Sequence, residues 1–502
     1  MLHTKIICTI GPASDSPEVL ENLADAGMNV ARLNFSHGTH DSHRNIVEKI
    51  RLLNTNREFP VAILLDTKGP EIRTGDQHMK LITGTQVRVV SDPELKDERH
   101  LFVDYPHLTE QLGQGNHILL DSGLVKLEIL ENHGDSLACR VLDGGTITPK
   151  RHVNLPGISV KLPGITLSDR KDLEFALEEN VDVVALSFLR NRDTVLEVRE
   201  MFRERGEQIK LIAKIENQEG VDNLEEIIQV TDGIMVARGD LGIEIDMEEL
   251  PQIQRKIAYL CAKYGKRLIV ATQMLESMME NPVPTRAEIT DIANAVFEQS
   301  DAIMLSGETS TGKYPVRCVE TLVRIARRTE VHPGVQFTEN LIQEDGPEEN
   351  QGKGRQMLAA AATKIARQLK VPGMLVITRK GRGATKMANL RVRGIPIFAF
   401  TESEKTISTL MLLRGVYPYL LKFDEDPELT IQNALRLLKK KSKAIPGTRT
   451  RSRSLILTSI LFSGRTSRMP NFPISRTSVE RIKLCCNSTL SESTQGTATF
   501  FP

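Results

Sequence analysis

The 502-residue chain sets 65 Lys and Arg against 65 Asp and Glu, has no Trp and six Cys, and is 40% hydrophobic. At roughly 100–200 residues per domain, this length predicts two to four domains with cores of their own, and zero net charge argues against nucleic acid as the main partner. No stretch reaches the ~18 consecutive apolar residues of a spanning helix, and Met1-Leu2-His3-Thr4-Lys5 lacks the apolar run of a secretory signal, so a soluble, cytoplasmic chain with no membrane partner is expected. Cys8, Cys139, Cys261 and Cys318 are scattered, which predicts neither a disulfide framework nor a zinc cluster; only Cys485 and Cys486 are adjacent.

The neutrality is a cancellation. From Lys443 to Pro502 nine basic residues stand against two acidic ones, so this segment carries +7 and the preceding 442 residues carry −7.

Short apolar, β-branched runs begin the chain and recur: Lys5 to Cys8, Met28 to Phe35, Val61 to Asp66, Val181 to Phe188, Lys210 to Ile215, Gly233 to Ala237, Arg267 to Thr272 and Asp301 to Leu305. From the fourth on, they start at 181, 210, 233, 267 and 301, a spacing that fits βα units. Helical periodicity fills the intervals, as in Pro17 to Ala26 after Ser16. Eight strands of this kind predict an α/β fold built on a (β/α)₈ TIM barrel, covering residues 1–70 and 167–338. The long gap, residues 71–166, holds ten Gly and short alternating runs, and reads as an inserted all-β domain placed as a lid over the barrel mouth. Beyond a charged stretch around Glu339 to Gly354, residues 354–442 alternate again and predict a small C-terminal α/β domain that is incomplete. Residues 443–502, with ten Ser and nine Thr, do not specify a packed fold.

In a (β/α)₈ barrel, chemistry gathers at the C-terminal strand ends. Lys214-Ile-Glu216 places a cation and a carboxylate on one face of a strand. Ala237-Arg-Gly-Asp-Leu-Gly242 adds a second carboxylate and two glycines. Two carboxylates on neighbouring strands make the hard-oxygen environment that Mg²⁺ favours. Lys-x-Glu by itself more often marks an ordinary ion pair; the strand-end position favours a site. Arg32, Asn34 and Ser36 alternate and so share a face, while Asp66, Thr67, Lys68, Glu71 and Arg73 cluster after the third strand. The spacing of His37 and His43 suits surface turns. Neither a Gly-x-x-x-x-Gly-Lys-Ser/Thr loop nor a strand-linked Gly-x-Gly-x-x-Gly is present.

Thr9-Ile-Gly-Pro-Ala-Ser14, Asn29-Val-Ala-Arg-Leu-Asn-Phe-Ser-His-Gly38, Asp66-Thr-Lys-Gly-Pro-Glu-Ile-Arg-Thr-Gly75, Val153-Asn-Leu-Pro-Gly157, Ala213-Lys-Ile-Glu-Asn217, Ala237-Arg-Gly-Asp-Leu-Gly242, Ala271-Thr-Gln-Met-Leu-Glu-Ser277 and Met304-Leu-Ser-Gly-Glu-Thr309 together resemble the pyruvate kinase motifs, over residues 1 to 441. The resemblance implies a phosphotransferase that passes the phosphoryl group of phosphoenolpyruvate to ADP, giving ATP and pyruvate in the final step of glycolysis. It implies Mg²⁺ (or Mn²⁺) on Glu216 and Asp240, and K⁺ on Asn34, Ser36, Asp66 and Thr67. Lys214, Arg32 and Thr272 become the catalytic residues, and Ala237, Arg238, Gly239 and Asp240 join them in binding substrate. Asn34, His37, Arg73, Lys150 and Arg151 are implied for the nucleotide, Glu71 for K⁺ dependence, Ser306 and Glu308 for the network around Thr272, and a homotetramer for the assembly.

Two segments depart from the resemblance. The loop Thr378-Arg-Lys-Gly-Arg-Gly-Ala384 aligns with effector phosphate loops but has Lys380 and Gly383 where hydroxyls are expected; its cations suit either an anion or a solvated turn. After residue 442 a Gly-Asp turn and an apolar strand are expected and do not follow. A shifted reading frame near that point and a genuine disordered extension both account for this. An active enzyme and a product impaired by its C-terminal domain are the corresponding functional alternatives.

Overall fold

A computed structural model describes residues 1–206, 209–332, 334–335 and 350–442. The tail 443–502, with the adjacent cysteines and the proposed frame change, lies outside the described residues.

Strands β1 (Lys5–Thr9), β2 (Val30–Asn34) and β3 (Ala62–Asp66) open the chain. The helix after β1 shows how local the signals are. Ser16 accepts a hydrogen bond from the Val19 amide, Pro17 fills the first turn where its missing N–H is harmless, and Gly27 at φ 128° ends the helix.

The insert follows as β4 (Ile72–Arg73), β5 (Met79–Leu81), β6 (Gln86–Val90), β7 (His100–Phe102), β8 (His117–Leu120), β9 (Val125–Asn132), β10 (Ser136–Asp143), β11 (Gly145–Ile147) and β12 (His152–Asn154). Seven of these pair in the order β4-β12-β8-β9-β10-β6-β7, and β5 pairs with β11. Along β9 buried and half-exposed residues alternate, the pattern of a sheet with one face on a core. That core, around Leu101, Tyr105, Ile118, Leu127 and Leu137, belongs to the insert alone. The insert is not purely β: a 3₁₀ turn, Pro93–Leu95, and one α-helical turn, Leu108–Gln111, interrupt it, and Asn132 Nδ2 donates to the Thr109 and Leu112 carbonyls of the second.

Strands β13 (Val183–Leu186), β14 (Lys210–Ile215), β15 (Gly233–Ala237), β16 (Arg267–Ala271) and β17 (Ala302–Leu305) complete a closed parallel barrel in the order β1-β17-β16-β15-β14-β13-β3-β2. Alternate residues divide between two cores. Ile7, Val30, Leu64, Val183, Ala185, Ile212, Met235, Ile269 and Met304 fill the interior. Their neighbours Cys8, Ala31, Leu65, Val184, Ala213, Val236, Val270 and Leu305 pack against the helices outside. This strict parity decides which strand-end side chains can reach the mouth.

In the C-terminal part β18 (Met374–Ile377), β19 (Ile397–Thr401) and β20 (Val416–Leu420) form a parallel sheet in that order, between helices Asn350–Gln368, Arg382–Asn389, Glu404–Leu410 and Pro427–Ser442. It seats on the foot of the barrel. Arg391 reaches Asp301 at 2.8 Å, Lys5 Nζ donates to the Val416 carbonyl at 2.7 Å, and Lys405 Nζ donates to the Asn180 and Val181 carbonyls at 2.8 and 2.7 Å. Met411 and Leu412 enter the interior core of the barrel itself.

Candidate active site

The mouth of the barrel is the next layer of its interior. Continuing the inward parity one step past the apolar residues of each strand gives Thr9, Arg32, Asp66, Ser187 and Lys214, five polar side chains in one ring. Aligned register brings the strand ends level, with Asn34 opposite Asp66, Ala185 opposite Asp66 and Ala237 opposite Ala271.

Lys214 is the hub. Its Nζ lies 3.1 Å from Asp66 Oδ1, 2.9 Å from Glu216 Oε1 and donates to Ser187 Oγ at 2.7 Å. Arg32 holds the other Asp66 oxygen at 2.6 Å and donates to Thr9 Oγ1 at 2.9 Å. Burial opposes the Lys214 charge, but Asp66 and Glu216 outweigh it and hold the ammonium above its ordinary value. Burial likewise opposes the Asp66 charge, and Lys214 and Arg32 outweigh it, keeping that carboxyl below the usual range. For Glu216, 0% exposed, burial prevails and pushes the carboxyl up to about 7, with Asp240 and Asp66 adding to it and Lys214 opposing.

Glu216 has one satisfied oxygen and one that is not. Oε2 accepts from the Phe188 amide at 2.6 Å. Oε1 is close to Lys214, yet no donor is aligned on it. A buried carboxylate oxygen with an open lone pair, beside Asp240, fits a hard divalent cation. Among the described residues no group of three or more His, Cys, Asp or Glu forms a complete metal cage, so such an ion would take its remaining ligands from substrate and water, as Mg²⁺ commonly does. The formal charge agrees: Arg32 and Lys214 against Asp66, Glu216 and Asp240 leave the mouth at −1, unfavourable for a phosphate until a cation enters.

Beside Asp66, the oxygens expected for a monovalent ion are present but engaged. Asn34 Oδ1 accepts from the Ser36 amide at 3.3 Å, Thr67 Oγ1 from the Ser187 amide at 3.1 Å, and the Thr67 carbonyl from Ser187 Oγ at 2.6 Å. Glu71 pairs with Arg73, whose Nε lies 2.8 Å from Oε2.

At β15 the chain turns directly into the helix Arg238–Glu244. Gly239 N donates to Thr272 Oγ1 at 2.9 Å, and the Thr272 hydroxyl donates to the Ala271 carbonyl at 2.7 Å. Thr272 and Gln273 both sit in the left-handed region, at φ 68° and 56°, a strained turn of the kind kept at functional sites. The Arg238 side chain is turned away from the ring. It pairs with Asp291 at 2.7 Å and donates to the Thr272 carbonyl at 2.6 Å, so it braces that turn and leaves its backbone to the mouth. Glu308 ties the next turn to this one, accepting from the Leu275 amide at 2.9 Å and the Ser306 amide at 2.7 Å, while the buried Ser306 hydroxyl has no partner.

The lid contributes cations that are already paired. Arg73 donates to the Lys150 carbonyl at 2.7 Å, Arg151 is 3.3 Å from Asp121, and Lys150 is 3.7 Å from Asp76. His37 is exposed, and its carbonyl accepts from His43, whose ring stacks on Phe35. Lid and barrel meet where His152 packs edge-on against Phe188, ring centres 5.6 Å apart. A cleft of about 170 Å³ opens there, lined by His152, Phe188, Arg190, Asn217, Glu219 and Glu244. Its lining includes none of Arg32, Asp66, Lys214 and Glu216.

The structure brings Arg32, Asp66, Lys214 and Glu216 into one cluster, and adds Ser187, which no motif in the sequence singles out. The signal for it was available: Val183, Ala185 and Ser187 share a parity.

The family models for pyruvate kinase match this chain twice, the barrel domain over residues 1–319 and the alpha/beta domain over residues 356–456. The chain belongs to the pyruvate kinase family. A pyruvate kinase of Sporosarcina psychrophila is 44% identical over 432 residues, 84% of this chain and 72% of its own length. A pyruvate kinase of Staphylococcus aureus strain MRSA252 is 42% identical over 441 residues, 87% of this chain and 74% of its own. The closed barrel, the separate insert and the C-terminal α/β part form the architecture of the pyruvate kinase family, and family membership makes the chain a phosphotransferase. Among the described residues no helix is long and apolar enough to cross a membrane.

Proposed function

We propose that the ring around Lys214 is where phosphoenolpyruvate gives its phosphoryl group to ADP, yielding ATP and pyruvate. The observation that carries this reading is the buried Lys214 spanning Asp66 and Glu216, with one Glu216 oxygen left open. Glu216 and Asp240 would hold Mg²⁺ or Mn²⁺, which when bound would neutralise charge on the phosphoryl group and the enolate oxygen. Asn34, Ser36, Asp66 and Thr67, an all-oxygen set, would hold K⁺.

Lys214 and Arg32 then face the transferring group from two strands. As an ADP oxygen bonds to phosphorus and the bond from phosphorus to the enol oxygen breaks, charge spreads over the equatorial oxygens, and preorganised cations stabilise it without reorganising. Ser187 and Asp66 fix the Lys214 ammonium in place. The backbone from Ala237 to Asp240, opening a helix, would receive the substrate carboxylate. His37, Arg73, Lys150 and Arg151, with Asn34, would receive the nucleotide phosphates. The enolate left behind takes a proton at its methylene carbon on the Thr272 side, and Ser306 and Glu308 would belong to the polar network around Thr272. We further propose that the enzyme works as a cytoplasmic homotetramer.

The test is ATP and pyruvate formation from phosphoenolpyruvate and ADP with Mg²⁺ and K⁺, read through lactate dehydrogenase. Pyruvate production no faster than in the heat-inactivated protein would end the proposal. The role of Thr272 has its own test. Thr272→Ala keeps the same Cβ in the same strained turn and gives up only the hydroxyl's bonds to Gly239 and Ala271, so it should fold with a Tm a little below the parent. Exchange of pyruvate methyl protons with deuterated water should fall about 10²-fold, followed by NMR; an unchanged exchange rate would remove Thr272 from the protonation step.

A further inference from the structure

The lid has a core of its own and joins the barrel through two connections, residues 67–71 going out and 155–166 coming back. A body built this way can shift only through these connections, so whatever pins them decides where the lid cations stand relative to the ring. One buried carboxylate reaches both. Asp169, 1% exposed, sits at the third position of the helix Leu167–Glu178. Its Oδ2 accepts from the Thr166 amide at 2.9 Å and the Thr166 hydroxyl at 2.6 Å, and Thr166 Oγ1 in turn accepts from the Asp169 amide at 3.0 Å. That reciprocal pair is a capping box, and it would suffice for the helix. Its Oδ1 goes further and accepts from the Gly69 amide at 2.9 Å, across 100 residues of sequence.

Gly69 is at φ 76°, and a Cβ there would meet Ser187 Cβ at 2.8 Å and the Ser187 carbonyl at 3.0 Å. The outgoing connection is therefore pressed against the residue that holds Lys214. The returning connection is gripped from the same strand end: Arg190, mostly buried, donates to the Val160 carbonyl at 2.5 Å, to the Leu162 carbonyl, and to the Pro163 carbonyl at 3.3 Å. Arg73, four residues beyond Gly69, inherits its position from this seat.

We propose that Asp169 is a positioning residue for the reaction: by tying Gly69 to Thr166 it sets the seat of the lid, and through it the placement of Arg73 and the nucleotide-binding side, without touching substrate. The inference rests on the phosphotransfer reading above. The capping role and the hinge role separate in two variants. Asp169→Glu keeps a capping box, since Glu is a favoured residue at that position, but its extra methylene displaces the oxygen that meets Gly69. Asp169→Ala removes both.

Asp169→Glu should lower Tm less than Asp169→Ala does, keep the parent KM for phosphoenolpyruvate, and raise KM for ADP about tenfold. Amide hydrogen exchange should accelerate at Gly69 and leave the lid strands unchanged. Asp169→Ala should show the same KM shift together with a lower Tm. Parent kinetics and parent Gly69 exchange in Asp169→Glu would overturn the proposal. So would a parallel rise of both KM values with a fall in Tm as large as that of Asp169→Ala, the mark of a purely structural residue. Inactivity of the unmutated protein would instead sink the phosphotransfer reading, and exchange at Gly69 would still report on the tie.

Discussion

Lys214→Met should fold and lose turnover by roughly 10²- to 10³-fold, the usual consequence of removing one preorganised charge from a transition state. The side chain fills similar volume, so the loss isolates the ammonium. Stability should suffer in a pH-dependent way. Removing one partner of a buried ion pair costs about 3–5 kcal/mol when the other stays charged. Here Asp66 retains Arg32, whereas Glu216 retains only the Phe188 amide. The Glu216 carboxyl, already up at about 7 with Lys214 present, would move higher still. A carboxyl whose folded value exceeds its unfolded one binds its proton more tightly in the native state, so stability falls as pH rises between those two values. The variant should therefore resemble the parent near pH 5 and melt progressively lower above pH 7. Thermal melts across that range, together with the coupled assay, provide the check. Activity within tenfold of the parent would remove Lys214 from the chemistry.

Glu216→Gln should produce the opposite separation. The amide is isosteric and cannot ionise, so it removes the strain of a buried charge. In the metal-free parent, that strain grows from the ordinary value of 4.5 to about 7, and at ~1.4 kcal/mol per unit it amounts to about 3 kcal/mol. At pH 7.5 without divalent metal the variant should be at least as stable as the parent. Its response to Mg²⁺ should collapse, with the half-activating concentration rising about 10²-fold, while the parent should gain stability on adding Mg²⁺ and release a proton as it does so. Mg²⁺ titrations of activity and of Tm at pH 6 and pH 7.5 would test both halves. A variant with the parent's metal dependence would take the ion away from Glu216.

The eight barrel strands were legible because each is a short apolar run that stops at polar residues, and their interior parity could be counted. The inserted domain was legible as an interruption of the βα rhythm. Less visible were features made by contact between distant segments. Ser187 carries no motif of its own, and gains its role only because β13 places it between Asp66 and Lys214. Arg238 falls inside a motif that suggests a substrate contact, yet its guanidinium reaches Asp291, 53 residues away. The Gly69 to Asp169 bond likewise belongs to no local pattern. Periodicity reports which face a residue takes; it does not report which partner waits there.

Met411 and Leu412 belong by sequence to the C-terminal part, but they complete the interior core of the barrel, against residues such as Ile7, Val30 and Ile212. The barrel is consequently stoppered from below by another portion of the chain. Parting the two would open the floor of the apolar interior to water, at a cost set by the area exposed. Chain continuity and cooperative unfolding therefore divide this molecule differently. The insert, contiguous between β3 and β13, owns a separate core and can loosen alone. The barrel and the C-terminal sheet, separated along the chain by residues 306–373, share one floor and must open together.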